Sequence, residues 1–275
     1  MSIPFMKFSG AGNDFIIVDN RSLEIKPTPS FVQKVCARRL SVGADGFLMV
    51  EPPDDPKAAN FKMRYFNADG GEVETCGNGA RCIARFAYLN QIADEQMRFE
   101  TLAGVYAAEV LGDRVKVQMS DPREVRLEFA VPLAEGEWTA SFANTGVPHV
   151  VYFVEDPEAV DVVRLGRETR YHPLFAPAGT NANFVVVEAS DRIRIRTYER
   201  GVEDETLACG TGAIASAVTA ALLGRVRPPV TVRTAGGFLL RVHFRLENGR
   251  PREVYLEGDA RLIYRGVLEP EAWNY

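Results

Sequence analysis

Short segments of alternating polar and apolar residues dominate the chain and predict many β-strands. In residues 61–67 the larger apolar side chains fall on alternate positions, and Lys62 and Arg64 lie between them. Residues 193–199 show the same period of two, with Arg194 and Arg196 between isoleucines. Because successive side chains of a strand point to opposite faces, each segment would bury one face of a sheet. Apolar runs predict four further strands, at residues 15–19, 47–51, 184–188 and 240–246.

Two alanine-rich stretches predict helices, at residues 79–89 and 212–223, the second followed by Gly224. The second stretch is apolar nearly all round, and such a helix needs packing on every side. A curled sheet around a central helix provides that packing. We therefore predict an α+β fold in which a curled β-sheet or barrel wraps around one helix per domain.

The sequence also repeats itself. The pattern Cys-Gly-x-Gly-Ala begins at Cys76 and again 133 positions later at Cys209. Three further matches keep nearly the same offset and order, so we predict two pseudo-symmetric copies of one unit. They pair residues 12–16 with 146–150, 61–67 with 193–199, and 100–104 with 233–237. The predicted domains are residues 1–119 and 120–263, with residues 264–275 returning to the first.

Composition and charge exclude several classes of function. The chain is 46% hydrophobic and 25% charged, typical of a globular protein. Its net charge is −5 and its basic residues are scattered, which disfavours nucleic-acid binding. The longest apolar stretch, residues 213–223, is too short to span a bilayer, and residues 1–19 do not resemble a secretion signal, so we expect a cytoplasmic protein. Its four cysteines include no Cys-x-x-Cys pair and its three histidines are far apart, so we expect no metal site.

Cys76 and Cys209 stand immediately before predicted helices. The first N–H groups of a helix lack partners and carry partial positive charge, which should lower a thiol pKa and bind a carboxylate. If both thiols flank one substrate Cα, one removes a proton and the other delivers one to the opposite face. Such a pair would invert the centre in either direction. A redox pair is the alternative interpretation of the same two cysteines.

Other reactive residues divide into core and site candidates. Cys36 and Cys82 lie inside predicted helices and are expected to pack in the core. His149 follows a turn that is the repeat partner of Gly12-Asn13-Asp14, so a site role is favoured. Glu199 ends an inward-facing strand row, where a buried carboxylate needs a partner such as a ligand ammonium group or a backbone donor.

These motifs resemble the diaminopimelate epimerase family over essentially the whole chain. The resemblance rests on residues 8–15, 66–70, 76–82 and 179–184, and on residues 199–201 followed by 208–212. It implies an isomerase that interconverts LL- and meso-diaminopimelate, for lysine and peptidoglycan precursors, without pyridoxal phosphate or metal. It also implies a homodimer.

The resemblance further implies site residues. Cys76 and Cys209 would be the acid and base, supported by His149 and Glu199, and Arg200 would bind the distal carboxylate. The remaining implied substrate contacts are the side chains of Asn13, Asn67, Asn181 and Glu199, and the backbone at Gly77, Asn78, Gly210 and Thr211, which would bind the reacting carboxylate. Two positions depart from the family pattern. Some members carry Asn where this chain has Val147, and many carry Gln where it has Gly46.

Two alternative functions remain at this point. A proline or hydroxyproline racemase also uses paired cysteines, but a ring substrate would not need Arg200 and the surrounding asparagines. A non-catalytic amino-acid-binding or redox protein is the other, although binding alone needs the helix ends and not the sulfurs.

Overall fold

The computed structural model describes residues 2–74 and 76–275, and within them it contains eighteen β-strands and four α-helices. In the first half the strands are β1 Ile3–Gly10, β2 Asn13–Asp19, β3 Gly46–Glu51, β4 Phe61–Asn67, β5 Glu72–Val73, β6 Gln96–Thr101, β7 Gly104–Leu111 and β8 Arg114–Gln118. The second half contains β9 Arg123–Leu133, β10 Gly136–Asn144, β11 Pro148–Phe153, β12 Asn181–Ala189, β13 Arg192–Glu199, β14 Asp204–Thr206, β15 Val230–Arg233, β16 Leu239–Glu247, β17 Arg250–Asp259 and β18 Arg261–Leu268. The helices are α1 Pro29–Cys36, α2 Gly77–Leu89, α3 Val162–Arg170 and α4 Gly210–Leu222.

The chain divides into two compact units. The first comprises Met1–Gln118 and Gly258–Tyr275, and the second comprises Met119–Glu257. The sequence predicted that the C-terminal segment rejoins the first unit at residue 264, whereas in the structure this segment begins six residues earlier, at Gly258. The difference arises because β18 begins at Arg261, which already pairs with Ser9 of β1.

In the first unit the strands form one sheet in the order β18-β1-β2-β3-β4-β6-β7-β8, and β5 pairs with the outer part of β4. The pairs β2–β3 and β4–β6 are parallel and the other pairs are antiparallel. Helix α2 packs against β1, β2, β3 and β4 and also against β7 and β8. Strands from both ends of the order therefore cover one helix, which requires the sheet to curl around it.

The second unit repeats this topology. Its order is β9-β10-β11-β12-β13-β15-β16-β17 with β14 on β13, and the parallel pairs are β11–β12 and β13–β15. Helix α4 packs against β10, β11, β12, β13, β15 and β16. Every residue of α4 from Gly212 to Ala221 is buried, as its apolar sequence predicts. The expectation of two pseudo-symmetric curled sheets, each around a helix, is confirmed.

Both central helices begin two residues earlier than predicted. Each starts at the glycine after the cysteine, so Cys76 and Cys209 are the N-cap residues. The Cys76 carbonyl accepts from Ala80 N at 2.7 Å, and the Cys209 carbonyl accepts from Ala213 N at 2.9 Å. Glycine has low helix propensity, which hid these first turns in the sequence. Among the described residues, no helix is long and apolar enough to cross a membrane.

Candidate active site

Cys76 lies at the junction between a short strand segment and the buried helix α2. Its backbone is extended, with φ −146° and ψ 120°, and the residue is half-buried. Gly77 and Asn78 form the first two helical positions, where backbone N–H groups have no intrahelical acceptor. This end of α2 therefore offers N–H donors beside a sulfur, as the sequence predicts.

A chain of side-chain amides runs from the start of α2 to the turn between β1 and β2. Arg81 Nη2 donates to Asn78 Oδ1 at 2.7 Å, and Asn78 Nδ2 donates to Asn13 Oδ1 at 2.8 Å. Asn13 Nδ2 in turn donates to Asp45 Oδ2 at 3.0 Å. The guanidinium can only donate and the carboxylate can only accept, so the chain fixes the orientation of both amides.

The carboxylate end of this chain is held by two cations. Arg38 pairs with both Asp14 and Asp45, at 2.6 and 2.9 Å, and the buried Lys7 pairs with Asp14 at 2.7 Å. Burial acts to raise the pKa of Asp14, but the hydrogen bonds and charges of Arg38 and Lys7 outweigh it and lower that pKa. The Asp14 carboxylate therefore stays ionised, and the turn that carries Asn13 is anchored.

Asn67 ends strand β4 opposite Gly46 of β3. The Tyr65 hydroxyl donates to Asn67 Oδ1 at 2.8 Å, and burial, followed by the negative charge of Cys76, raises the pKa of Tyr65. The phenol thus remains a donor, which leaves the Asn67 amide nitrogen to donate elsewhere. A Cβ added at Gly46 would lie 2.5 Å from Tyr65 Cε2, so the tyrosine ring occupies the space that a side chain at Gly46 would need.

Cys209 has the same position at the start of α4 but a different environment. The residue is 6% exposed, its Sγ accepts from Gly212 N at 3.4 Å, and Thr211 Oγ1 lies 3.5 Å away. Burial and the charge of Glu199 raise the pKa of Cys209 to about 12, although the hydrogen bonds from Thr211 and Gly212 oppose the rise. The prediction that the helix start lowers this thiol pKa is wrong, because burial outweighs the helix end.

His149 reaches Cys209 through the hydroxyl of Thr211. The imidazole is fully buried, and its Nε2 lies 3.0 Å from Thr211 Oγ1. On its other side Asn183 Nδ2 lies 3.2 Å from His149 Nδ1 and also donates to the Val150 carbonyl at 2.8 Å. Since that carbonyl can only accept, the amide donates to Nδ1 and Nε2 carries the proton. Burial, together with the charge of Arg200, lowers the pKa of His149 to about 3, so the ring is neutral.

Glu199 ends strand β13 beside the same thiol. Its Oε2 accepts from Thr206 Oγ1 at 2.9 Å, and its carboxylate also accepts a hydrogen bond from Cys209. Burial raises the pKa of Glu199 despite these two donors. The partners predicted for this residue were a ligand ammonium or a backbone donor. In the structure two side chains take that role.

Asn181 and Arg200 form the remaining part of the second unit's site. Asn181 Oδ1 accepts from Arg200 N at 2.8 Å, and Asn181 Nδ2 donates to the Pro148 carbonyl at 2.8 Å. The Arg200 guanidinium donates to the Ala178 carbonyl at 3.0 Å. Because His149 and Asn181 are register partners in β11 and β12, these contacts place Arg200 near the imidazole.

Each unit thus gathers its own predicted site residues around one helix start. In the first unit these are Asn13, Asn67, Cys76, Gly77 and Asn78. In the second they are His149, Asn181, Glu199, Arg200, Cys209, Gly210 and Thr211. The other two cysteines, Cys36 and Cys82, are 4% and 0% exposed, which confirms that they belong to the core. Among the described residues, no group of His, Cys, Asp and Glu is arranged to hold a metal ion.

Comparison with known proteins decides the family. The family model described as "Diaminopimelate epimerase" matches residues 5–125 and 141–263. The protein named diaminopimelate epimerase in Aquifex aeolicus is 45% identical, with 98% of this chain and 99% of that protein covered. The protein of the same name in Archaeoglobus fulgidus is 40% identical, with 100% and 99% covered. The chain belongs to the diaminopimelate epimerase family.

Solved structures with lower sequence identity share the fold of this epimerase family member. A PhzF-family phenazine biosynthesis protein from Bacillus anthracis has a TM-score of 0.72 and 15% identity, with 98% of this chain and 99% of that chain covered. A probable proline racemase from Agrobacterium radiobacter has a TM-score of 0.69 and 16% identity, with 99% and 96% covered. At these identities the likeness concerns the fold alone.

Several residues that lie at the site were not among the site residues predicted from the sequence. They are Asn183, Tyr65 and Arg81, together with the hydroxyl of Thr211, for which only a backbone role was predicted. A signal for Asn183 was present, because it stands two positions after Asn181 and so shares its face of β12. Arg81 gave no such signal, since a buried arginine is not expected from its residue type.

Proposed function

We propose that the protein interconverts LL- and meso-diaminopimelate by proton transfer at one Cα, with Cys76 and Cys209 as acid and base. Family membership supports the reaction. The observation that carries the residue assignment is the N-cap position of a cysteine at the start of both central helices. A duplicated unit thus supplies the same reactive group twice.

Inversion of a tetrahedral carbon requires a base on one face and an acid on the other. We propose that one thiolate takes the Cα proton and becomes a thiol, while the electron pair moves into the substrate carboxylate. The other thiol then gives its proton to the opposite face of Cα and becomes a thiolate. The two cysteines exchange roles with each turnover, so a pair of identical chemical type suits both directions.

The helix starts would bind the reacting carboxylate. The backbone N–H groups of Gly77 and Asn78 occupy the first turn of α2, and those of Gly210 and Thr211 occupy the first turn of α4. Such groups stabilise negative charge, and more of it develops on the carboxylate when the Cα proton leaves. Their contribution is therefore largest at the transition state.

The remaining side chains would bind the rest of the substrate and assist Cys209. Arg200 presents a planar guanidinium suited to the distal carboxylate. Asn13, Asn67 and Asn181 would bind the polar groups around it. Neutral His149, acting through Thr211, would donate toward the Cys209 thiolate, and Glu199 would accept from the substrate ammonium or from the thiol.

Deuterium exchange at Cα tests the reaction. The reduced enzyme is incubated in heavy water with LL-diaminopimelate, and separately with L-proline, and deuterium at Cα is followed by NMR. We expect exchange and epimerisation with diaminopimelate alone. Absence of exchange with diaminopimelate would refute the proposal, and exchange with proline alone would select the racemase alternative.

Cysteine variants test the assignment of the acid and base. Cys76→Ala and Cys209→Ala should each abolish epimerisation, while the matched control Cys82→Ala, on the same helix as Cys76, should retain it. Epimerisation that survives in either of the first two variants would contradict the two-thiol scheme. Chelators and carbonyl reagents should leave the wild-type rate unchanged, because the proposed chemistry uses neither metal nor pyridoxal phosphate.

We also propose a cytoplasmic homodimer. A reducing compartment supports the scheme, since acid and base must both remain thiols. Sedimentation equilibrium tests the assembly and should give twice the mass of one chain at micromolar concentration. A monomer at that concentration would refute it. Cell fractionation should place the activity with the cytosol.

A further inference from the structure

Arg81 is a buried cation in the first turns of α2. Its side chain is 0% exposed, and all three of its hydrogen bonds go to neutral oxygens. These are the Gly77 carbonyl at 3.3 Å, the Asp259 carbonyl at 3.3 Å and Asn78 Oδ1 at 2.7 Å. Burial lowers the pKa of Arg81, but a guanidinium keeps its proton in proteins. Among the described residues, no carboxylate oxygen accepts a hydrogen bond from this guanidinium, although the charge of Asp259 acts on it.

The guanidinium lies beside the first turn of α2, where it donates to Gly77 and Asn78, the two residues that follow Cys76. Side chains on a helix point back toward its N-terminus, and the bond to the Gly77 carbonyl places the charge beside the residue that follows Cys76. The charges of Cys76 and Arg81 attract each other. A buried positive charge next to the residue that follows the thiol favours the thiolate.

The second unit lacks this cation at the matching position. Ile214 stands 133 positions after Arg81, and it is fully buried and apolar. A second difference lies at the end of the strand before each cysteine. The first unit has the neutral Asn67 there, and the second unit has the carboxylate of Glu199 at the matching position. Cys76 therefore has a cation and a neutral amide nearby, whereas Cys209 has an apolar side chain and a carboxylate.

We propose that Arg81 is a positioning residue that keeps Cys76 in the thiolate form in the resting enzyme, while Cys209 beside Glu199 keeps its proton. This inference rests on the proposed function, and it adds which thiol is the base before substrate binds. The stereoisomer whose Cα proton faces Cys76 can then react at once. The other stereoisomer first requires a proton to move from Cys209 to Cys76.

Other charged and titratable groups act on the same pair. Cys82 on α2 and Asp259 at the end of β17 favour the charged guanidinium, while Arg114 of β8 opposes it. The Asp259 carboxylate is already engaged by Ala11 N and Arg261 Nε, each at 3.0 Å. Tyr65 of β4 acts on Cys76 and stays protonated.

Thiolate reactivity measures the proposed asymmetry without requiring turnover. The reduced wild-type enzyme is treated with iodoacetamide from pH 5 to pH 10, and peptide mass spectrometry gives the alkylation rate of each cysteine. We expect Cys76 to react with a midpoint at least two pH units below that of Cys209. Faster alkylation of Cys209 at pH 7 would overturn the proposal, whether or not any variant folds.

Arg81 variants then test the cause. Arg81→Met should raise the alkylation midpoint of Cys76, and its reaction at pH 7 should slow about tenfold for every pH unit by which the midpoint rises. Arg81→Lys keeps the charge without the fork and should restore most of the rate. The control Arg85→Met, one turn further along α2, removes a guanidinium bonded to the Ala260 carbonyl and should leave the midpoint unchanged. Equal midpoints in the Met and Lys variants would show a merely structural role and refute the inference.

Glu199→Gln gives the converse test in the second unit. Removing this carboxylate should lower the alkylation midpoint of Cys209 and leave that of Cys76 in place. An unchanged Cys209 midpoint would contradict the role given to Glu199. Exchange assays on the wild-type enzyme separate the two proposals, since equal midpoints for its two cysteines with exchange at Cα intact would refute only this inference.

Discussion

At Cys209 a single hydroxyl connects the thiol to the neighbouring imidazole. Thr211→Val preserves the shape of the side chain but removes the link to His149 Nε2 and to Cys209 Sγ. We expect kcat to fall about ten- to a hundredfold, with little change in KM, because the hydroxyl stabilises the thiolate that forms during turnover. Steady-state kinetics in both directions measure the effect.

Thr219→Val is the matched control for that substitution. It lies on the same helix and is fully buried, but its hydroxyl bonds only to the helix carbonyls of Ala215 and Ser216. The control should retain kcat. Equal losses in both variants would show that the effect of Thr211 comes from helix packing and not from the link to His149.

The neutral state of His149 has a measurable effect on stability. Its folded pKa of about 3 lies below the usual 6.5, so the unfolded chain binds more protons between these values. This contribution to stability is complete above pH 6.5 and is lost as the pH falls below it. From pH 7 to pH 5 the free energy of unfolding should drop about 2 kcal/mol more in the wild type than in His149→Gln. Urea titrations at both pH values test this, and equal drops would contradict it.

The two central helices differ at matching glycines, although their sequences repeat. A Cβ at Gly212 would lie 2.4 Å from Asn183 Oδ1, whereas a Cβ at Gly79 would meet its nearest atoms at 3.6 Å. Gly212→Ala should therefore displace the amide that holds His149 and lower kcat at least tenfold. Gly79→Ala should retain activity and gain about 0.5–1 kcal/mol of stability from helix propensity. Kinetics and thermal unfolding of the pair measure both effects, and full activity in Gly212→Ala would contradict the expected displacement.

The strands and the central helices were predictable from the sequence, while the helix starts, the thiol pKa and contacts between distant residues were not. The alternation of polar and apolar residues correctly predicted strands at residues 61–67 and 193–199. The apolar surface on all sides correctly predicted an enclosed helix at residues 212–223. The helix starts were missed because glycine obscures a first turn. The pKa of Cys209 was misjudged because burial depends on the packing of distant segments, which no local motif encodes. The contact between Tyr65 and Gly46 also lay beyond sequence reasoning, since it requires the strand register.

At the scale of the whole molecule, the proposed mechanism takes one of its two proton-transfer groups from each unit. The Cys209→Ala enzyme retains only the Cys76 thiolate, which can remove and return a proton on one face of Cα. We expect it to exchange the Cα proton of one stereoisomer with solvent, without inversion, and Cys76→Ala to act only on the other stereoisomer. NMR in heavy water with LL- and meso-diaminopimelate measures this. Exchange of both stereoisomers by one variant would contradict the scheme.

Arg81 and Ile214 occupy corresponding positions of the two repeated units, and their difference has an evolutionary consequence. Two identical polypeptides assembled as a symmetric dimer must carry the same side chain at both copies of a position. Covalent fusion of the copies removes that constraint, so one half can gain a cation while the other gains an aliphatic group. On this view, joining the ancestral halves into one gene made it possible to set the acidity of each sulfur separately.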